Sequence, residues 1–94
     1  MSKPAIIATV GVHPSRPERL ALIQPDGTVS NWLSRYAGGA KGTVVLALDE
    51  ASEHRRLTVS GPRALVTDEV VWIAHGLARV HGARLHFRLD KEDA

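Results

Sequence analysis

The chain has 94 residues, of which 44% are hydrophobic and 23% are charged. This is the size and composition of one globular domain, and no apolar run approaches the roughly 20 residues of a membrane span. There is no cysteine, which excludes disulfides, zinc-thiolate sites and thiol nucleophiles. The segment after Met1 lacks a signal-peptide pattern, so we expect a soluble, cytoplasmic protein without a membrane contact.

The chain is mildly basic. Its formal net charge is +2, its pI is about 9.5, and arginine outnumbers lysine. Arginine is the residue that proteins favour for bidentate phosphate contacts. The pattern is compatible with a mixed, solvated surface or with a phosphate-binding face. The residues that would form a nucleic-acid contact are Arg16, Arg19, Arg56, Arg84 and Arg88.

The first predicted element is a buried strand over residues 6–12. Its apolar residues run almost continuously, as in a strand that is covered on both faces. The prolines of segment 13–17 end it, because proline has no N–H donor for a ladder. Residues 20–23 predict the return strand. Residues 25–27, Pro-Asp-Gly, predict a turn, after which residues 28–29 begin a third strand.

A short helix is predicted next. Ser30 is a residue type that caps helix N-termini, and the glycine pair that follows Tyr36 would end the helix. This helix carries Trp32, Leu33 and Tyr36.

A second continuous apolar run covers residues 43–48 and predicts another buried strand, beside the first. The run ends at the adjacent acids Asp49 and Glu50. Residues 57–59 alternate weakly before a Gly-Pro pair and predict an edge strand.

The clearest helix signal begins at Thr67, an N-cap residue followed by two acids, and runs to Gly82. One side of this helix carries the apolar residues Val70, Ile73, Ala74, Leu77 and Val80, with His81 among them. The opposite side carries Trp72, His75 and Arg79.

Trp72 lies on the polar side of its helix. Covering a whole indole of about 200 Å² stabilises by up to about 5 kcal/mol at 25 cal/mol per Å². Trp72 therefore either packs under the loop around residue 50 or belongs to a contact with a subunit or a partner. The residues that we expect to bind a protein partner, or a second copy in a homo-oligomer, are Trp72, His75, Arg79, Trp32 and Tyr36.

The last predicted strand covers residues 83–89 and alternates cleanly. Its apolar residues are Leu85, Phe87 and Leu89, and its basic residues are Arg84, His86 and Arg88. A basic row on an outer strand discourages edge-to-edge pairing, or it contacts phosphate. Residues 90–94 are predicted to be a disordered tail of a single domain that spans residues 1–94.

Several segments resemble the RNase H-like superfamily. Residues 10–15 and 20–27 are similar to the first hairpin of Holliday-junction resolvases and DEDD-type transposases. Residues 45–50 look like their fourth strand with its terminal acid, and residues 77–87 look like their helix, glycine and fifth strand. The resemblance implies an α/β layer with two helices and a mixed five-stranded sheet, three antiparallel strands and then two parallel ones. The two buried runs are then parallel neighbours at its centre.

The resemblance also implies a metal-dependent nuclease, but His13 stands where those enzymes place an aspartate for Mg²⁺. Mg²⁺ prefers oxygen ligands, whereas imidazole suits zinc and other transition metals. Asp49 or Glu50 matches the second acid, and the end of the chain supplies no further carboxylates for a two-metal site. Ser15 is not expected to face His13 within its proline-flanked turn. The alternative is a divalent-metal site of His13, Asp49 and Glu50, or a transition-metal site that combines His13 with Asp49 and His54.

Two functional hypotheses follow. In the first, the chain is a small non-catalytic RNase H-like module that binds a protein partner or itself, in a process linked to nucleic acid, without a cofactor. In the second, it is a nucleic-acid-binding protein or a divergent metal-dependent nuclease.

Overall fold

The computed structural model describes residues 4–35, 42–50 and 54–90. Within them, one α-helix packs on a mixed six-stranded sheet, and the predicted α/β class is confirmed. The predicted counts of five strands and two helices are wrong for these residues. The elements are β1 (Ala5–His13), β2 (Arg16–Ile23), β3 (Val29–Arg35), β4 (Val44–Asp49), β5 (Arg56–Pro62), a 3₁₀ turn (Arg63–Leu65), α1 (Asp68–His81) and β6 (Arg84–Asp90). Across the sheet, the strand order is β3-β2-β1-β4-β5-β6.

The hydrophobic core lies between α1 and one face of the sheet. Leu46 on β4 is fully buried and has Ala8 and Val59 as its register partners on the two neighbouring strands. Alternate residues of each strand point to the core, because successive side chains of a strand point to opposite faces. The buried core residues are Ala8, Val10, Leu20, Leu33, Val44, Leu46, Leu48, Leu57, Val59, Leu65, Val70, Ala74 and Ala78.

Helix α1 has the ends that its sequence predicts. The side chain of Thr67 accepts a hydrogen bond from the backbone N–H of Val70 at 3.3 Å. At the other end Gly82 adopts a left-handed conformation with a φ of 62°, and its N–H bonds to carbonyls of the last turn. The predicted inner side is confirmed except at Val80, which is 78% exposed.

The turn at residues 25–27 is confirmed, and it joins β2 directly to β3. The N–H of Gly27 donates to the carbonyl of Gln24 at 2.8 Å. The backbone N–H of Thr28 donates to Oδ1 of Asp26 at 2.9 Å, and this bond lowers the pKa of the Asp26 carboxyl below its ordinary value.

The helix predicted from Ser30 is wrong, because residues 29–35 form β3. The tight turn brings the two strands together at Ile23 and Val29, and after a register shift between Leu22 and Ile23, Ala21 of β2 pairs with Trp32 of β3. Pairing with β2 satisfies backbone groups that a two-turn helix would leave without partners, and it places Leu33 in the core. Tyr36, the last residue of the predicted helix, lies outside the described residues.

Strands β1 and β4 are neighbours, as expected, but they are antiparallel, and the predicted parallel pairing is wrong. Parallel strands need a crossover of a dozen or more residues. Only residues 36–43 join β3 to β4, so the chain re-enters the sheet from the end at which it left. An RNase H-like core has these two strands parallel, and the described strands lack that arrangement.

Residues 57–59 lie in β5, which is an interior strand rather than the predicted edge strand. The outer strand is β6, which pairs with β5 in parallel. The alternation predicted for this strand is confirmed, since its basic residues are exposed and its apolar residues are half-buried. Asp90 belongs to β6 rather than to the predicted tail, whose remaining residues lie outside the described part. No helix in the described ranges has the length and apolar character to cross a bilayer.

Candidate interaction surface

The outer side of α1 carries a large exposed aromatic residue. Trp72 is 79% exposed, and the helical spacing aligns it with His75, Gly76 and Arg79. Packing of Trp72 under the loop around residue 50 is therefore wrong. Gly76 has no heavy atom within 4 Å of the position that a Cβ would occupy. Glycine inside a helix costs about 1 kcal/mol relative to alanine, and here it leaves the helix surface open to close approach.

A groove runs between α1 and β6. Its lining residues are Trp72, His75, Gly76, Ala78 and Arg79 from α1, Ala83 just before β6, and Leu85 of β6. We call it the α1/β6 groove. Beyond it, Val71 of α1 and Phe87 and Leu89 of β6 line a second hollow. The apolar residues of β6 are thus only half covered by their own helix.

The free edge of β6 bounds the groove. This strand pairs with β5 on one side and is the last strand in the sheet order. Among the described residues no strand pairs with its other side, which presents backbone N–H and C=O groups to an incoming strand. A rigid strand edge, a half-covered apolar row and an exposed indole therefore lie on the same side of the molecule.

A second surface lies on the face of the sheet opposite α1. It consists of Arg56, Thr58 and Ser60 on β5 and of Arg84, His86 and Arg88 on β6, and we call it the basic face. The register places Arg56 beside Arg84, Thr58 beside His86, and Ser60 beside Arg88. The four basic residues of this surface are exposed. The structure thus brings together three of the five arginines predicted to contact nucleic acid.

The other two arginines lie elsewhere. Arg16 follows the turn between β1 and β2, and Arg19 on β2 donates to the carbonyl of Leu33 at 3.5 Å. Both are three or more strands away from β6 in the sheet. Among the predicted partner-binding residues, Trp32 is on β3, at the opposite edge of the sheet from β6.

His13 forms part of a turn and is 8% exposed. The backbone N–H of Ser15 donates to its Nδ1 at 3.0 Å, and Oγ of Ser15 lies 3.4 Å from the same nitrogen. The expectation that these two residues do not face each other is wrong. Nδ1 accepts the bond that holds the turn, which leaves it without a lone pair for a metal or for a proton from the Ser15 hydroxyl.

The predicted metal ligands do not meet. Val10 of β1 pairs with Val44 of β4, and the two strands run in opposite directions from that pair. His13 and Asp49 therefore lie at opposite ends of the sheet, about 26 Å apart at 3.3 Å per residue. Glu50 follows Asp49 and is equally distant. In the described ranges, no three His, Asp or Glu residues are grouped as metal ligands.

Sequence reasoning missed the groove. The alternation of residues 84–89 did signal an outer strand with one apolar side. Which helix residues lie over that strand depends on the strand order, and that order has no local signal in the sequence.

Comparison with models of protein families, with curated proteins and with solved structures found no match for this chain.

Proposed function

We propose that this protein is a non-catalytic interaction module that acts by self-association. Two copies join through the free edges of their β6 strands, so that two sheets become one and both α1 helices lie on the same side. The observation that carries the proposal is the exposure of Trp72, 79%, beside a free strand edge. A contact that covers this indole removes enough apolar area to stabilise the complex by about 4 kcal/mol.

The β6 strand complements itself in one antiparallel register. With Phe87 opposite Phe87 of the second copy, Leu85 lies opposite Leu89, and Arg84 lies opposite Asp90. Opposite residues of an antiparallel pair share a face, so apolar residues meet on the helix side and opposite charges meet on the other side. His86 then lies opposite Arg88, an imidazole against a guanidinium.

The neighbouring registers are unfavourable. A shift of two residues in one direction places Arg84 opposite Arg88, and the same shift in the other direction places Arg88 opposite Arg88 of the second copy. Like charges directly opposite destabilise a strand pair. The basic row that would discourage unspecific pairing at this edge therefore selects a single register for pairing with a second copy.

The helices support the same arrangement. Helix α1 contacts both β5 and β6, and strands are spaced by about 4.8 Å. If each helix axis lies above the line between its β5 and β6, the axes of the two copies are about 10 Å apart, which is a normal helix packing distance. The open surface at Gly76 then faces the α1 helix of the second copy. The side chain of Trp72 fills part of the α1/β6 groove between the two copies.

The test is the native mass of Trp72→Ala, measured by light scattering over a range of protein concentrations. We expect a dimer for the wild type and a shift toward the monomer for Trp72→Ala, with the Kd of the dimer raised about a hundredfold or more by the lost apolar contact. The matched control is Val80→Ala. Val80 is 78% exposed on the same helix but does not line the groove, and its truncation leaves the dimer intact.

A wild type that stays monomeric at the highest concentration contradicts self-association. If Trp72→Ala and Val80→Ala weaken the dimer equally, the interface is not at the α1/β6 groove. The candidate edge is then β3, on the other side of the sheet.

A further inference from the structure

We infer that the basic face binds the backbone of a single-stranded nucleic acid. This inference is independent of self-association, because all the residues that it uses lie on β5 and β6 of one chain. In the proposed dimer the basic face lies on the side of the sheet away from the helices, so both contacts can exist at once.

The spacing of the charges is the first observation. Arg84, His86 and Arg88 alternate along one strand and are exposed. Alternate residues of a strand are about 6.6 Å apart, which is close to the separation of successive phosphates in an extended single strand. A row of two arginines with a histidine between them along one strand therefore matches a linear polyanion better than it matches a compact anion.

The pairing of like charges is the second observation. Arg56 and Arg84 are register partners on adjacent parallel strands. Two guanidinium groups side by side repel each other unless an anion lies between them. Asp49 on β4 is the register partner of Arg56 and offsets one of these charges, while Arg84 has no such partner in the register of the sheet.

The acids of this face lie at its borders. Asp49 is at one end, and Asp90, the register partner of Pro62, is at the other end of β6. Between them the strand positions on this face carry Thr58, Ser60 and His86, together with Val45 and Ala47 of β4. The middle of the basic face is therefore cationic and free of carboxylates.

The neutral residues of the face suit a nucleic-acid strand. The hydroxyls of Thr58 and Ser60 stand beside His86 and Arg88 and can donate to phosphate or sugar oxygens. The imidazole of His86, between two arginines, presents a plane on which a base stacks. Arginine and aromatic planes in one groove are the usual means of binding single strands without sequence preference.

The test is fluorescence anisotropy with a labelled oligo-dT of about ten nucleotides. We expect the wild type to bind at low salt. The logarithm of its affinity should then fall linearly with the logarithm of the salt concentration, with a slope of about −0.7 for each phosphate neutralised. In Arg56→Ala/Arg88→Ala, we expect affinity to fall about tenfold or more and the salt slope to shrink by about 1.4. Arg56 lies on β5, outside the proposed strand pair, but Arg88 lies opposite His86 in it, so the affinities are compared at protein concentrations where both proteins have the same native mass.

The matched control is Arg16→Ala/Arg19→Ala, which removes the same charge from β2, four strands away from β6 in the sheet. If the two double variants lose affinity equally, binding depends on the total charge of the protein and not on the basic face, and the inference is overturned. The conservative variant Arg56→Lys/Arg88→Lys keeps the positive charge and retains the salt slope, and it serves as the test if the alanine variant does not fold.

Three further results would overturn the inference. These are an absence of binding to oligo-dT at low salt, tighter binding to a duplex of the same length, and equal binding of poly-glutamate or of anionic phospholipid vesicles. A monomeric wild type that still binds oligo-dT would leave this inference standing and would remove only the proposed dimer.

Discussion

Gly61 shows how a single backbone position fixes the packing of two strands. It lies in β5 with a φ of 145°, a conformation that side chains strongly disfavour. A Cβ at this position would be 2.6 Å from the carbonyl oxygen of Thr43 and 2.9 Å from the Cα of Val44. Both contacts are with main-chain atoms, which cannot rotate away. Glycine is required here because β5 passes directly against the beginning of β4.

We expect Gly61→Ala to destabilise the fold by about 1 to 3 kcal/mol through backbone strain alone, with the displacement of β4 adding to this loss. The measurement is the free energy of unfolding in urea. The control is Gly11→Ala, because a Cβ on Gly11 would lie 3.8 Å from Oγ1 of the same Thr43, an ordinary contact. This variant should change the stability by less than about 1 kcal/mol. Equal losses would contradict the role given to the close approach at Gly61.

At the scale of the element, β6 is more informative than the helix that precedes it. Its apolar residues are half covered by α1, and its charges are arranged so that Arg84 and Asp90 stand at the two ends of one exposed row. The same seven residues would thus serve the core, the dimer edge and the basic face. The core uses the apolar side of the strand and the basic face its charged side, while the proposed dimer uses its outer edge together with Arg84 and Asp90 of the charged side.

The proposed register predicts a charge-swap result. In a dimer, Asp90→Arg places two arginines opposite each other at both ends of the strand pair, and Arg84→Asp does the same with two aspartates. Each variant should weaken its homodimer by about 2 kcal/mol, or about thirtyfold in Kd, given the small energy of exposed ion pairs. Mixing the two variants restores both attractive pairs, so native mass should show the heterodimer in preference to either homodimer.

The double variant Arg84→Asp/Asp90→Arg carries both changes in one chain and should dimerise like the wild type. If the two single variants and their mixture have equal native masses, Arg84 and Asp90 do not face each other, and the register centred on Phe87 is wrong.

At the scale of the whole molecule, one helix stabilises a sheet of six strands from a single side. The core residues of β4 and β5 are fully or almost fully buried, whereas Ile6, on the opposite face of β1, is 51% exposed. The fold therefore has a strongly two-sided sheet. The buried side holds the molecule together, and the other side is available for contacts.

We expect Leu46→Ala to cost about 2 to 5 kcal/mol, because it removes a fully buried side chain at the centre of the sheet. Ile6→Ala removes the same number of carbon atoms from the exposed side and should cost less than about 1 kcal/mol. Urea unfolding of the two variants provides the comparison. Similar losses would mean that the two faces of the sheet are covered alike.

The limits of sequence reasoning are clearest where two elements meet. The capped helix and the Pro-Asp-Gly turn were predicted correctly because the residues that define them are neighbours in the chain. Residues 30–36 were predicted as a helix because Ser30 and the glycines after Tyr36 are valid helix signals locally. The hairpin register overrode those signals. Similarly, Val80 fits the apolar side of α1 by spacing, but the sheet beneath the helix leaves it exposed.

The sequence by itself determined the strand and helix signals of the α/β class, the two buried runs, the ends of α1 and the alternation along β6, since each depends on residues within one or two turns of each other. Only the tertiary structure decided that β1 and β4 are antiparallel, that β5 is an interior strand, and that Arg56 lies beside Arg84. These features depend on the path of the chain between strands. That path is selected by the packing of the whole core, which no short segment encodes.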